Sequence, residues 1–105
     1  MKNAYLRFIV AAGAAGGLLT FAGLASAYTG EKLAGGAKVS IEQARAIALK
    51  AHPGTITDEE LERESGGSGL RYSFDIKRGK VTQEVGVDAA TGHVLENKAE
   101  GANPD

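Results

Sequence analysis

Over residues 70–77 apolar and polar side chains alternate one for one. Leu70, Tyr72, Phe74 and Ile76 share one parity, and Arg71, Ser73, Asp75 and Lys77 share the other. A period of two belongs to a strand with one buried face, so this stretch predicts a strand lying on a core. Val81, Gln83, Val85 and Val87 continue the pattern on odd positions. Bringing odd residues opposite even ones on a common face needs a two-residue connection, and Arg78-Gly79 supplies one. The expected register sets Ile76 opposite Val81, Tyr72 opposite Val85 and Leu70 opposite Val87. A second reversal lies in Val-Gly-Val-Asp-Ala-Ala-Thr-Gly-His-Val-Leu, residues 85–95. Here Asp88 can accept N–H bonds from the residues after it, Thr91 sits inside the turn, and Gly92 can take the positive φ that closes it. The last strand is expected over residues 93–96, with Val94 opposite Val87. Apolar periodicity stops at Asn97, and residues 98–105 read as a disordered tail.

Upstream the period changes from two to 3.6. Ser40 and Gln43 form a capping box, and Ile41, Ala44, Ile47, Ala48 and Ala51 then fall on one stripe, predicting an amphipathic helix to about residue 51. Pro53 and Gly54 end it. Between helix and alternating strand, Ile56 and Leu61 are five residues apart and so have opposite strand parity. A regular strand cannot bury both, which places a bulge near Asp58-Glu59. The acidic run Asp58, Glu59, Glu60, Glu62 and Glu64 suits a charged sheet edge. Residues 65–69, Ser-Gly-Gly-Ser-Gly, read as a flexible loop; they lack the second glycine of a hydrolase G-x-S-x-G elbow, because Leu70 stands there. One apolar helix stripe and one single-faced sheet can only cover each other. The fold class expected is α+β, one amphipathic helix packed on a three- to four-stranded antiparallel meander.

The first 27 residues follow neither period. Lys2 and Arg7 precede an uncharged apolar and small-residue run over residues 8–24, and Ala25-Ser26-Ala27 makes an A-x-A cleavage site, the pattern of a secretory signal peptide. The run nears spanning length and carries Gly13 and Gly17 at GxxxG spacing, the features of an anchor; its dilution with Gly and Ala and its cleavage motif favour removal after Ala27. Residues 28–38 read as a flexible lead-in, and residues 39–97 as the folded domain. The expected location is periplasmic or secreted, without stable membrane insertion after cleavage. Removing Lys2 and Arg7 from the 12 basic residues leaves 10 against 13 acidic, a net charge of −3 that gives no basic face for nucleic acid or anionic membranes. The chain has no cysteine, which excludes a disulfide framework, a lipoprotein anchor, a thiolate metal site and a cysteine nucleophile.

Ser40-Ile41-Glu42-Gln43-Ala44 opening a helix, His52-Pro53-Gly54 closing it, the strand from Tyr72 to Ile76, and above all Val87-Asp88-Ala89-Ala90-Thr91-Gly92-His93-Val94 resemble the PepSY domain family, which occurs in propeptides of secreted metallopeptidases and in other exported proteins. The resemblance implies a helix on an antiparallel sheet and brings no catalytic residues. His52 and His93, the two histidines, have no spaced carboxylate or second histidine to complete a ligand set, and the acidic run lacks the spacing of an EF-hand loop, so no metal or other cofactor is expected. The reading is a non-enzymatic exported protein that modulates or inhibits peptidases of the cell envelope. The alternative is a sensory or scaffold module binding a small ligand or an envelope protein. Candidate partner-binding residues are Glu60, Glu62 and Glu64 on the acidic strand and Lys77, Arg78 and Lys80 at a hairpin tip. Asp88, Thr91 and Gly92 are the structural turn.

Overall fold

The helix begins where its capping chemistry predicts. In a computed structural model, which describes residues 28–100, Ser40 Oγ accepts from Gln43 N–H at 3.1 Å while Gln43 Oε1 accepts from Ser40 N–H at 2.9 Å, and α1 runs Ile41–Ala51. The signal peptide read over residues 1–27 lies outside the described residues. Four strands follow: β1 Thr55–Arg63, β2 Leu70–Arg78, β3 Val81–Asp88 and β4 Val94–Ala99. They form one antiparallel sheet in the order β1-β2-β3-β4, an open meander with α1 across one face, so the chain is an α+β domain. Ala44 and Ala48, both fully buried, bring the helix backbone close to the sheet, where Tyr72, Phe74, Ile76, Val85 and Val87 form the floor of the core. Among the described residues no helix is long and apolar enough to cross a membrane.

The β1 irregularity falls between Ile56 and Asp58. One extra residue there changes the parity, which lets Ile56 pack on the core and Leu61, five residues on, bury to 2 % exposure. The β2–β3 register differs from expectation by two residues. Tyr72 faces Val87, Phe74 faces Val85, Ile76 faces Gln83 and Arg78 faces Val81, so the connecting pair is Gly79-Lys80 and not Arg78-Gly79. Gly79 has φ +65°, the left-handed value that a tight hairpin takes inside its loop, where a Cβ is penalised. A shift of two preserves parity, so every core side chain keeps its face.

Both ends of the domain depart further from the sequence reading. The segment read as a flexible lead-in is structured: Thr29 bridges β1 at Glu60 in parallel, Leu61 N–H donates to Thr29 O at 2.8 Å, and Glu31–Gly36 forms a 3-10 turn. Its apolar members, Tyr28, Leu33, Ala34 and Ala37, pack against the core without any regular period, which is why periodicity missed them. The tail also begins later than expected. β4 continues through Asn97, Lys98 and Ala99, with Glu84 opposite Lys98 and Gln83 opposite Ala99, and Glu100 N–H donates to Thr82 O at 2.9 Å. Ladder bonds to β3 need only backbone, so an edge strand with exposed polar side chains extends past the end of the apolar pattern. Residues 101–105 lie outside the described residues.

Candidate functional site

Asp88 ends β3 and is 1 % exposed. The chain reverses directly after it, with Gly92 N–H donating to Asp88 O and Asp88 N–H to His93 O, both at 2.8 Å. The short reversal leaves N–H groups pointing inward that strand pairing cannot satisfy. Asp88 Oδ1 accepts two of them, from Ala90 at 2.7 Å and Thr91 at 3.2 Å. Thr91 Oγ1 accepts from His93 N–H at 3.2 Å, and Gly92 has φ +82°. The other carboxylate oxygen does something local pattern did not show: Oδ2 accepts from Ser68 N–H at 2.6 Å. The Ser-Gly-Gly-Ser-Gly segment is therefore docked on Asp88 and not a flexible loop. Gly67, at φ +56°, comes so close that a Cβ would overlap Oδ2.

The same corner collects the rest of the chain. Ala89 N–H donates to Leu70 O, and Ala89 O accepts from both Lys38 and Val39 N–H, each at 2.9 Å. Val39 O in turn accepts from the Tyr72 hydroxyl at 2.6 Å. Burial is the largest influence on the Asp88 carboxyl and pushes it up, but the backbone N–H groups of Ala90, Ser68 and Thr91 together with the Ser68 hydroxyl outweigh it and hold the group down at about 2. An enclosed, permanently ionised carboxylate whose oxygens already accept three N–H bonds has no proton to give at neutral pH. Its chemistry is structural.

The opposite face of the sheet is acidic. The register aligns Asp58, Asp75, Glu84 and Lys98 across four strands, and Glu60, Ser73, Gly86 and Glu96 in the next row. Hydrogen bonding to Asp58, then burial and the charges of Asp58 and Glu62, push Glu60 up to about 7. Burial, then Glu100, Asp58 and Glu84, push Asp75 up to about 6. Glu84 is raised as well, first by burial and then by Glu96 and Glu100. Arg71 approaches Glu96 at 3.6 Å, Lys98 approaches Glu96 at 3.5 Å, and Ser73 Oγ donates to Glu62 at 2.8 Å. Glu59 belongs to the other face, where both its carboxylate oxygens receive Arg45 of α1.

Of the candidate residues, Glu60 and Glu62 stand together on this acidic face, while Glu64 is exposed just beyond β1. Lys77, Arg78 and Lys80 are exposed at the β2–β3 tip. Since Arg63 faces Leu70 and Thr55 faces Lys77, the acidic and basic groups lie at opposite ends of the β1–β2 hairpin and form two surfaces. His52 closes α1 and His93 is exposed after the turn, and among the described residues no three His, Asp or Glu side chains gather as a metal site. A shallow depression lined by Tyr28, Ala34, Val39, Ile41 and Tyr72 opens beside the helix N-terminus. Burial, followed by the neighbouring Tyr28, pushes the Tyr72 hydroxyl up to about 12, so it donates to Val39 and does not act as a base. The family model for PepSY, described as peptidase propeptide and YPEB domain, matches residues 38–98. The chain belongs to the PepSY family. The PepSY match begins at Lys38, the first residue tied to Ala89 O, and ends inside β4, so it covers α1, β1 to β3 and all of β4 but its last residue. No curated protein and no solved structure matches the chain.

Proposed function

We propose that this PepSY domain is a non-catalytic exported module that binds peptidases of the cell envelope and modulates or inhibits them. The observation that carries the reading is the match of residues 38–98, which hold the helix and nearly all of the sheet, to a family described as peptidase propeptide and YPEB domain. Among the described residues its saturated, buried carboxylate Asp88 serves the fold, and its surface charges include an acidic patch at the half-exposed Glu60 and Glu62 with exposed Glu64 and a basic tip at Lys77, Arg78 and Lys80. Separate patches of opposite sign suit recognition of a partner, in which charge sets encounter rate and salt dependence. Export is supported by Lys2, Arg7, the apolar run and Ala25-Ser26-Ala27.

The test is titration of the purified chain against metallopeptidases of the same envelope, together with Glu60→Lys/Glu62→Lys and Lys77→Glu/Lys80→Glu variants. Inhibition that weakens for one charge-reversed patch, with the domain itself resisting cleavage, supports the proposal. No binding or inhibition at tens of micromolar, the order of a weak but useful interface, refutes it and leaves a sensory or scaffold module.

A further inference from the structure

The two edges of the sheet are not equivalent. The middle of β1 is occupied by Thr29, which bridges Glu60 and accepts from Leu61 N–H. β4 is the last strand in the sheet order, and every residue in it except Glu96 is exposed. Because Glu100 N–H bonds Thr82 O, ladder alternation turns the main-chain groups of Glu96 and Lys98 toward β3 and those of Asn97 and Ala99 away from it. β4 thus presents unpaired main-chain groups at Asn97 and Ala99. A lone lysine on such an edge discourages pairing. Lys98, however, has Glu96 two residues away on the same face, and Asn97 stands between them.

That order is self-complementary. We infer that β4 pairs antiparallel with β4 of a second copy about a two-fold axis at Asn97, joining two sheets into one of eight strands. Outward-facing main-chain groups must meet outward-facing ones, which restricts odd residues to odd partners. Among those registers, one places Glu96 against Glu96 and another Lys98 against Lys98, each a like-charge pair. The register centred on Asn97 instead puts Glu96 opposite Lys98 twice and Leu95 opposite Ala99. Asn97 of each copy then exchanges its N–H and C=O with the other. It also brings a cation from the second copy beside Glu96, on the face that carries Glu84. The contact is isologous, as a two-fold dimer requires, and it closes, so it does not propagate into fibres. A single short strand pair belongs with small, weak interfaces.

Sedimentation velocity of the purified chain at low salt should show reversible dimerisation between about 10 μM and 1 mM, the range of a weak complex. Lys98→Glu should weaken it roughly tenfold or more, and the swapped variant Glu96→Lys/Lys98→Glu should restore it to within about threefold, because the swap recreates both pairs. The absence of cysteine allows a second test. Asn97→Cys places two thiols across the axis at about 5.5 Å between Cα atoms, within disulfide reach. It should cross-link on mild oxidation at least roughly tenfold faster than Val81→Cys, a residue 51 % exposed at the far hairpin tip. A chain that stays monomeric at 1 mM, association indifferent to Lys98→Glu, or equal cross-linking of the two cysteine variants would each overturn the proposal.

Discussion

Replacing Asp88 with asparagine changes the shape of the side chain hardly at all and removes one charge and one acceptor from the corner on which four segments converge. The carboxylate receives N–H bonds from Ala90 and Thr91 on one oxygen and from Ser68 on the other. The amide keeps one oxygen, so either the turn or the glycine loop loses its acceptor, and the amide NH2 then faces a donor. An orphaned buried N–H costs about 1–3 kcal/mol. The electrostatic route gives a similar size. Holding the carboxyl at about 2 against an ordinary value of 3.8 corresponds to about 2 kcal/mol favouring the folded state when the group is ionised. The sign follows from the depression: the contribution is fully present above the unfolded value, near pH 4, and disappears as pH falls through about 2. Urea denaturation of wild type and Asp88→Asn at pH 7 should differ by about 2 kcal/mol, a melting shift on the order of 10 °C for a domain this small. Between pH 4 and pH 2 the difference should narrow, because wild type loses an interaction the variant never had. A gap below about 0.5 kcal/mol at pH 7, or one unchanged at pH 2, would refute the reasoning, since neither is compatible with an ionised acceptor of three N–H bonds.

Asp75 and Glu60 have the opposite dependence: their raised values mean that the folded state holds protons the unfolded chain has released, so their contribution to stability falls as pH rises from about 4 through 6 to 7, and Asp75→Asn should flatten that slope in a series of urea melts. Gly92→Val should destabilise by about 1–3 kcal/mol, because φ +82° penalises a branched side chain and its Cβ would press on Ile47 Cδ1 at 3.2 Å; equal melting of variant and wild type contradicts the turn geometry. Tyr72→Phe keeps the ring stack with Phe74 but deletes the hydrogen bond to Val39 O, an expected loss of about 1 kcal/mol by thermal melt.

What the sequence made legible was whatever repeats within a single element. The capping box of Ser40 and Gln43, the helix stripe, the alternation of β2 and the β1 parity break are each visible because side chains a few residues apart must solve the same burial problem. Two features escaped because backbone, not side-chain pattern, decides them. The extension of β4 through Ala99 needs only ladder bonds to β3, and the Thr29 bridge needs one carbonyl facing Leu61 N–H. The β2–β3 register was misplaced by two because alternation constrains only parity. Gly79, at φ +65°, lies inside the two-residue loop in either register, so the turn residue does not separate them and the backbone pairing of Arg78 with Val81 does.

The Asp88 corner divides the same way. Its bonds to Ala90 and Thr91 join residues two and three apart, and turn chemistry alone foretells them. Its bond to Ser68 spans 20 residues and depends on β2 carrying the glycine loop back beside the end of β3. A glycine run reads as freedom until something fills the space over it, and here Asp88 lies so close to Gly67 that a side chain there is excluded. The block of sequence with the most specific family resemblance, Val87 to Val94, is thus consumed in holding turn, loop and lead-in together. Its buried members, Val87, Asp88 and Ala89, serve the fold, while Thr91, His93 and Val94 remain exposed. On the proposed function, selectivity falls to exposed side chains on which folding makes few demands, among them Glu64, Lys77, Arg78 and Lys80 and the open β4 edge, and substitutions there should change binding while leaving the melting temperature in place.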